Sequence, residues 1–154
     1  MPKIVGLAEV VLNVDDLPKM RQFYMDVLGF ELHSEGCFES EDLESPTGKV
    51  TITFLTVNKG DTPFNEVDHP LLFVLIDYKR HGFARGKFQN RSVRNSSLNH
   101  LAFEVAKEDL DKLRAELNAK GIETNDVVFE NMHAKSVFFR DPEDNTLEFI
   151  CPIE

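Results

Sequence analysis

Glu9, His100 and Glu148 are the side chains from which this sequence could build a site for a divalent ion. Glu9 and His100 hold the same place in two copies of one pattern: Leu7-Ala8-Glu9-Val10-Val11-Leu12-Asn13-Val14 recurs 91 positions on as Leu98-Asn99-His100-Leu101-Ala102-Phe103-Glu104-Val105. Both are good metal-ligand types. Glu148 lies between Leu147 and Phe149 in a late apolar stretch. An unpaired carboxylate is costly there, so it must face a cation or water. One imidazole nitrogen and two carboxylates form a hard, anionic donor set.

The elements that must carry these residues follow from periodicity. Residues 4–14 alternate as a strand, and Asp15 or Asp16 can cap the helix that follows, with Pro18 suited to its first turn. Leu17, Met20, Tyr24 and Val27 make one apolar stripe, and Gly29 ends it. Phe30–Gly36 and the β-branched, aromatic run Lys49–Asn58 read as strands, separated by a polar loop from Glu39 to Gly48. After a long loop, Leu71–Tyr78 is a nearly all-apolar strand, buried on both faces or facing a cavity. The second copy starts near Ser97. Its helix begins around Glu108, carries Leu110, Leu113 and Leu117 on one stripe, and stops at Gly121. Strands are expected over Ile122–Phe129, Ser136–Arg140 and Thr146–Cys151, with a turn at Asp141-Pro142-Glu143-Asp144-Asn145. The expectation is two β-α-β-β-β modules, 4–78 and 97–154.

The segment 79–96 between them inverts the local charge. From Tyr78 to Phe103 there is no acidic residue, while Lys79, Arg80, Arg85, Lys87, Arg91 and Arg94 are all basic. It reads either as a solvated linker or as a basic lid in which Arg91 and Arg94 attract an anionic substrate or an acidic neighbouring subunit. The chain as a whole has 17 Lys and Arg against 27 Asp and Glu, a net charge of −10, which argues against nucleic-acid and anionic-membrane surfaces as partners. Its 42% hydrophobic content and thirteen Phe fit a globular fold of one domain's size. No run reaches membrane-spanning length and no secretory signal pattern opens the chain, so a cytoplasmic protein is expected. Cys37 and Cys151 fit a reducing compartment and form no CxxC pattern.

Two stretches carry a family resemblance: Phe23-Tyr24-Met25-Asp26-Val27-Leu28-Gly29-Phe30, and Phe138-Phe139-Arg140-Asp141-Pro142-Glu143-Asp144-Asn145-Thr146-Leu147-Glu148, together with the repeated early strand. The chain resembles the vicinal oxygen chelate superfamily of glyoxalase I, the bleomycin-resistance proteins and the type I extradiol dioxygenases. The resemblance implies an α+β fold in which two βαβββ modules curl into a cup-shaped mixed sheet, either within one chain or by exchange of modules in a homodimer. It implies a metal centre with ligands on the first and last strand of each module, here Glu9, His100 and Glu148. The remaining position falls at about Leu75, which cannot bind a metal; Asp77, two residues on, would share its strand face.

Three ligands leave coordination positions open for a substrate with vicinal oxygens, which resembles the extradiol enzymes more than the four-ligand glyoxalase I. The resemblance also implies acid/base roles for His69 and His133, and a place beside the substrate for Phe138 where those enzymes often carry Tyr. Glu9 departs from their two-His pattern. The expected cofactor is one Fe2+, Mn2+, Ni2+ or Zn2+ ion, and the expected partner a small substrate, aromatic or anionic. The favoured activity is extradiol-like ring cleavage. The alternatives are a glyoxalase-like lyase or isomerase, and a metal-free binding protein that sequesters a small molecule.

Overall fold

Alternation and punctuation build the first module. The computed structural model describes residues 6–58, 70–86 and 95–153 of the chain. Strand β1 (Glu9–Val14) leads through Asp16, whose Oδ1 accepts the Lys19 N–H at 3.1 Å, into helix α1 (Leu17–Asp26). That capping bond satisfies one of the helix's otherwise unpaired N–H groups. Gly29 then turns the chain with φ +72°, as Gly121 does at the matching point of the second module with φ +76°; both are left-handed conformations that favour glycine. Strands β2 (Glu31–Gly36), β3 (Ile52–Asn58) and β4 (Leu71–Asp77) complete a four-stranded sheet in the order β1-β4-β3-β2. The β1–β4 pair is parallel and the others antiparallel.

β4 is apolar from Leu71 to Ile76 because it is central and covered on both faces. Phe73 and Leu75 share one face, where the Phe73 ring lies 4.5 Å from that of Tyr24 on α1 and 5.7 Å from Phe30. Leu72, Val74 and Ile76 share the other, buried with Ile52 and Ala84 and flanked by Phe54 and Tyr78.

Ala84 belongs to the basic segment and is fully buried, so within 79–96 the stretch 79–86 packs onto the first module. Asp77 Oδ1 accepts the N–H groups of Lys79 and Arg80, which bends the chain back over the module. Lys79 then pairs with Asp15 at 2.6 Å, Arg80 with Glu39 at 2.6 Å and Arg85 with Asp42 at 3.0 Å. The contacts within the chain group it into two compact units, 1–90 and 91–154. Arg91 and Arg94 lie outside the described residues.

The second unit repeats the order. Strand β5 (Leu101–Glu104) is followed by a 3-10 turn (Lys107–Asp109) and helix α2 (Leu110–Ala119). Strand β6 (Asn125–Phe129), a second 3-10 turn (Glu130–Met132), β7 (Ala134–Arg140) and β8 (Thr146–Pro152) complete it. The sheet order is β5-β8-β7-β6, with β5–β8 parallel. β7 begins two residues before the expected Ser136, and β6 three residues after the expected Ile122. Each unit is therefore the β-α-β-β-β module that the repeat predicts, and the fold is α+β with two four-stranded mixed sheets. Among the described residues no helix is long and apolar enough to cross a membrane.

Candidate functional site

The second module brings His100 and Glu148 together. In the sheet, Glu148 is paired with Ala102 on β5 and with Phe138 on β7. His100 precedes Ala102 by two positions and so shares its face. The His100 Nε2 lies 3.0 Å from Glu148 Oε2. The imidazole is about one-third exposed, whereas the carboxylate side chain is only 4% exposed. The ring also meets the edge of Phe138 at 5.7 Å, and Phe138 in turn meets Phe129 at 6.3 Å, both T-shaped. A line of three rings thus runs from the imidazole across β7 to β6.

The Asp-Pro turn sets this register. Asp141 is buried, and its Oδ1 accepts the N–H groups of Glu143 and Asn145, both at 2.9 Å, while Oδ2 accepts Asn145 Nδ2–H at 2.8 Å. These bonds tie off the β7–β8 hairpin, with Asp144 in the left-handed region at φ +66°. They hold Glu148 opposite Phe138.

Two further residues belong to this face that the sequence reading did not single out. Asn99 Oδ1 lies 2.7 Å from His100 Nδ1. Ser136 is buried on β7 two residues before Phe138, and its Oγ has no hydrogen-bond partner among the described residues. Asn99 sits where the first copy has Ala8, so the break in the repeat beside His100 was the available signal. Ser136 offered only its polarity inside an alternating strand.

The donor types and their spacing fit a divalent ion. Two ligands bound at right angles with bonds of about 2.1 Å lie about 3.0 Å apart. The protonation chemistry points the same way. With its Oδ1 toward the ring, Asn99 suits a protonated Nδ1; with its amide turned by half a rotation it suits a bare one. In the first arrangement a neutral ring directs its Nε2 lone pair at a carboxylate oxygen, and the two repel unless a cation lies between them. The cation is a proton or a metal. Among the described residues no three His, Cys, Asp or Glu side chains gather as a ready-made cluster, so this module contributes a pair of donors and not a full ligand set.

In the first module, Glu9 opens β1 and is exposed. It is paired with Leu72, and Val11 with Val74. Val11 matches Ala102 in the repeat, so the position equivalent to Glu148 is Val74 rather than Leu75. Leu75 is fully buried on the opposite face, beside Phe73 under α1. Asp77 shares the Leu75 face and is engaged in the turn after β4, so it does not restore a fourth ligand. His133 is exposed, in the left-handed conformation at φ +48°, and closes the 3-10 turn before β7, where its carbonyl accepts the Ile153 N–H at 2.8 Å. His69 lies outside the described residues.

Comparisons with known proteins agree with this architecture. The profile of the Glyoxalase/Bleomycin resistance protein/Dioxygenase superfamily matches residues 6–149. Among solved structures, the integron cassette protein HFX_CASS4 from the mobile metagenome of the Halifax Harbour sewage outfall is 27% identical, with a TM-score of 0.60 over 96% of this chain and 99% of that one. A glyoxylase/bleomycin resistance protein/dioxygenase domain from Frankia sp. EAN1pec is 23% identical, with a TM-score of 0.65 over 97% of this chain and 99% of that one. A variant of the fosfomycin resistance protein FosX from Listeria monocytogenes, complexed with Mn(II) and 1S,2S-dihydroxypropylphosphonic acid, is 18% identical, with a TM-score of 0.63 over 96% of this chain and 90% of that one. A search of curated proteins gave no match. With its profile match spanning both modules, this chain belongs to the glyoxalase/bleomycin resistance protein/dioxygenase superfamily.

Proposed function

We propose that this protein is a divalent-metal-dependent enzyme acting on a small molecule with two adjacent oxygens, and that His100 and Glu148 are two of its metal ligands. The observation that carries this reading is the 3.0 Å approach of His100 Nε2 to a carboxylate oxygen that is almost wholly withdrawn from water. Glu9 is the proposed third ligand, because it occupies in β1 the place that His100 holds before β5. Two carboxylates and one imidazole favour a hard ion, Mn2+ or Fe2+ over a thiophilic one. FosX, similar in fold, is complexed with Mn(II), which supports the same class of ion. When bound, such an ion acts as a Lewis acid on the substrate's oxygens.

The chain's own residues account for the rest of the chemistry. Glu148 supplies negative charge from a buried position, so its attraction for a cation is less screened than a surface carboxylate's. Phe138 and Phe129 give the face an apolar wall against which a flat or weakly polar group can lie. The Ser136 hydroxyl is buried on that face without a hydrogen-bond partner among the described residues, a polar group left unsatisfied beside the apolar wall. The row of three rings favours, as a second and more specific reading, extradiol-like cleavage of a catechol; on it His69 or His133 would move the substrate proton.

The test is metal loading followed by three substrates in parallel. Protein purified without an affinity tag of histidines should take up about one Mn2+ or Fe2+ per chain, and His100→Ala and Glu148→Ala should each abolish uptake. Fosfomycin, the hemithioacetal of methylglyoxal and glutathione, and a panel of catechols under air then separate epoxide opening, isomerisation and ring cleavage. Stoichiometric metal in the double variant would overturn the ligand assignment. Tight binding of a small aromatic molecule by protein that takes up no metal would replace the enzyme reading with sequestration.

A further inference from the structure

We infer that Asn99 is the positioning residue that makes His100 a ligand, by serving either tautomer of its ring and holding it in one place while a proton on Nε2 is exchanged for a metal. The inference rests on His100 and Glu148 being metal ligands. A neutral imidazole carries one N–H. If the proton sits on Nε2, it donates to Glu148, and Nδ1 is left as a bare acceptor. If the proton sits on Nδ1, Nε2 is free to bind an ion and Nδ1–H needs an acceptor. Asn99 faces Nδ1 at 2.7 Å with its Oδ1, which suits the second arrangement.

A rotation of the same amide by half a turn presents its NH2 to Nδ1 and suits the first. A carboxylate would serve only the second, a methyl group neither. The residue next to a proposed ligand in sequence therefore has a side chain that can match both states. The rest of the ring is fixed independently, by the Phe138 edge at 5.7 Å and by Glu148. Asn99 at Nδ1 and Glu148 at Nε2 therefore bias together which nitrogen bears the proton, and Asn99 sets how readily the metal enters. Metal-bound histidines commonly depend on such a partner at the second nitrogen.

The substitutions Asn99→Ala and Asn99→Asp separate this role from simple packing. In metal-free protein labelled with 15N at histidine, two-bond 1H–15N spectra at alkaline pH report the share of the Nδ1–H tautomer of His100. That share should fall in the order Asp, Asn, Ala. Mn2+ affinity by calorimetry should follow the same order, with Asn99→Ala weaker by about 10- to 100-fold and Asn99→Asp no weaker than the parent. A tautomer share and an affinity that are both unmoved by Asn99→Ala, in a parent that binds metal, would overturn the inference and leave the metal site standing. So would equal losses in the Ala and Asp variants, which denote packing. The predicted tautomer order in proteins that bind no metal would support the role of Asn99 while removing the metal reading on which its purpose rests.

Discussion

Replacing Glu148 by Met distinguishes a residue kept for chemistry from one kept for structure. The side chains have similar volume, so the change chiefly removes a charge from a site that is 4% exposed and flanked by Ala102 and Phe138. In protein stripped of metal, the carboxylate faces one imidazole that is itself 37% exposed, and this is thin compensation for its lost hydration. Replacing buried ion pairs by apolar side chains of matching size has been neutral or stabilising by about 1–4 kcal/mol. His100 can turn to water once its partner is gone, so a gain of about 1–2 kcal/mol is expected at the lower end of that range. Urea denaturation in excess chelator measures it as a rise in midpoint at unchanged slope. Adding Mn2+ should invert the order. At a hundred times its dissociation constant the ion stabilises the parent by about 2.7 kcal/mol and gives the variant almost nothing. A Glu148→Met protein that is less stable than the parent in chelator by more than about 1 kcal/mol would show that Glu148 serves the fold, and would refute this reasoning.

Three other predictions follow from the same contacts. Asp141→Ala should destabilise the protein by about 2–4 kcal/mol, because three part-buried hydrogen bonds that close the β7–β8 hairpin are lost, and Asp141→Asn by less, because one acceptor remains; a loss below about 0.5 kcal/mol, read by denaturant titration, would contradict the clamp. The N–H groups of Gly48 and Thr47, with Arg80, hold the Glu39 carboxyl at about 2 instead of 4.5, so its contribution to stability is present above pH 4.5 and is lost as the pH falls toward 2; Glu39→Gln should flatten that acid limb in midpoints measured across the window. Burial lowers the pKa of His81, whose Nδ1 accepts the Phe83 N–H at 3.0 Å, so the unfolded chain takes up the proton first and stability declines as the pH drops below 6.5; an unchanged midpoint slope there in His81→Gln would contradict it.

What could be read from the sequence was what depends on local pattern. The strand-helix-glycine order of both modules follows from alternation, a 3.6-residue stripe and a φ that favours glycine, all encoded within a dozen residues. The double burial of β4 follows from its unbroken apolar run. Register was beyond local pattern. The fourth ligand position fell on Leu75 when counted along the chain and falls on Val74 when read across the sheet, because β1 and β4 are joined by a long connection whose length does not fix which residues face each other. The ion pairs of the basic segment were hidden for the same reason. Its charges were visible, but their partners Asp15, Glu39 and Asp42 stand 41 to 64 positions away in the chain. The Asp-Pro turn was recognisable by composition, whereas the three bonds that make Asp141 a clamp appear only in three dimensions.

The two modules share a plan, and one of the equivalent positions at which they differ, Val74 in β4 and Glu148 in β8, divides structure from chemistry. Val74 is 1% exposed and is surrounded by Ile52, Leu72, Ile76 and Ala84. Glu148 is nearly as buried but has an imidazole beside it. Placing the carboxylate in the first module as well, by Val74→Glu, would therefore put a charge among apolar side chains. Such a group either stays ionised at a cost of several kcal/mol or takes up a proton, and the apolar cluster that holds Ala84 loses its fit in both cases. We expect a destabilisation of about 3–5 kcal/mol, against about 1–2 kcal/mol for Val74→Thr, which adds a hydroxyl at similar volume. The paired contrast is the test: the same carboxylate should be strongly destabilising at 74 and mildly so at 148. A Val74→Glu protein within about 1 kcal/mol of the parent in chelator would mean that this face of the first module admits water, and the division of labour between the modules would fall with it.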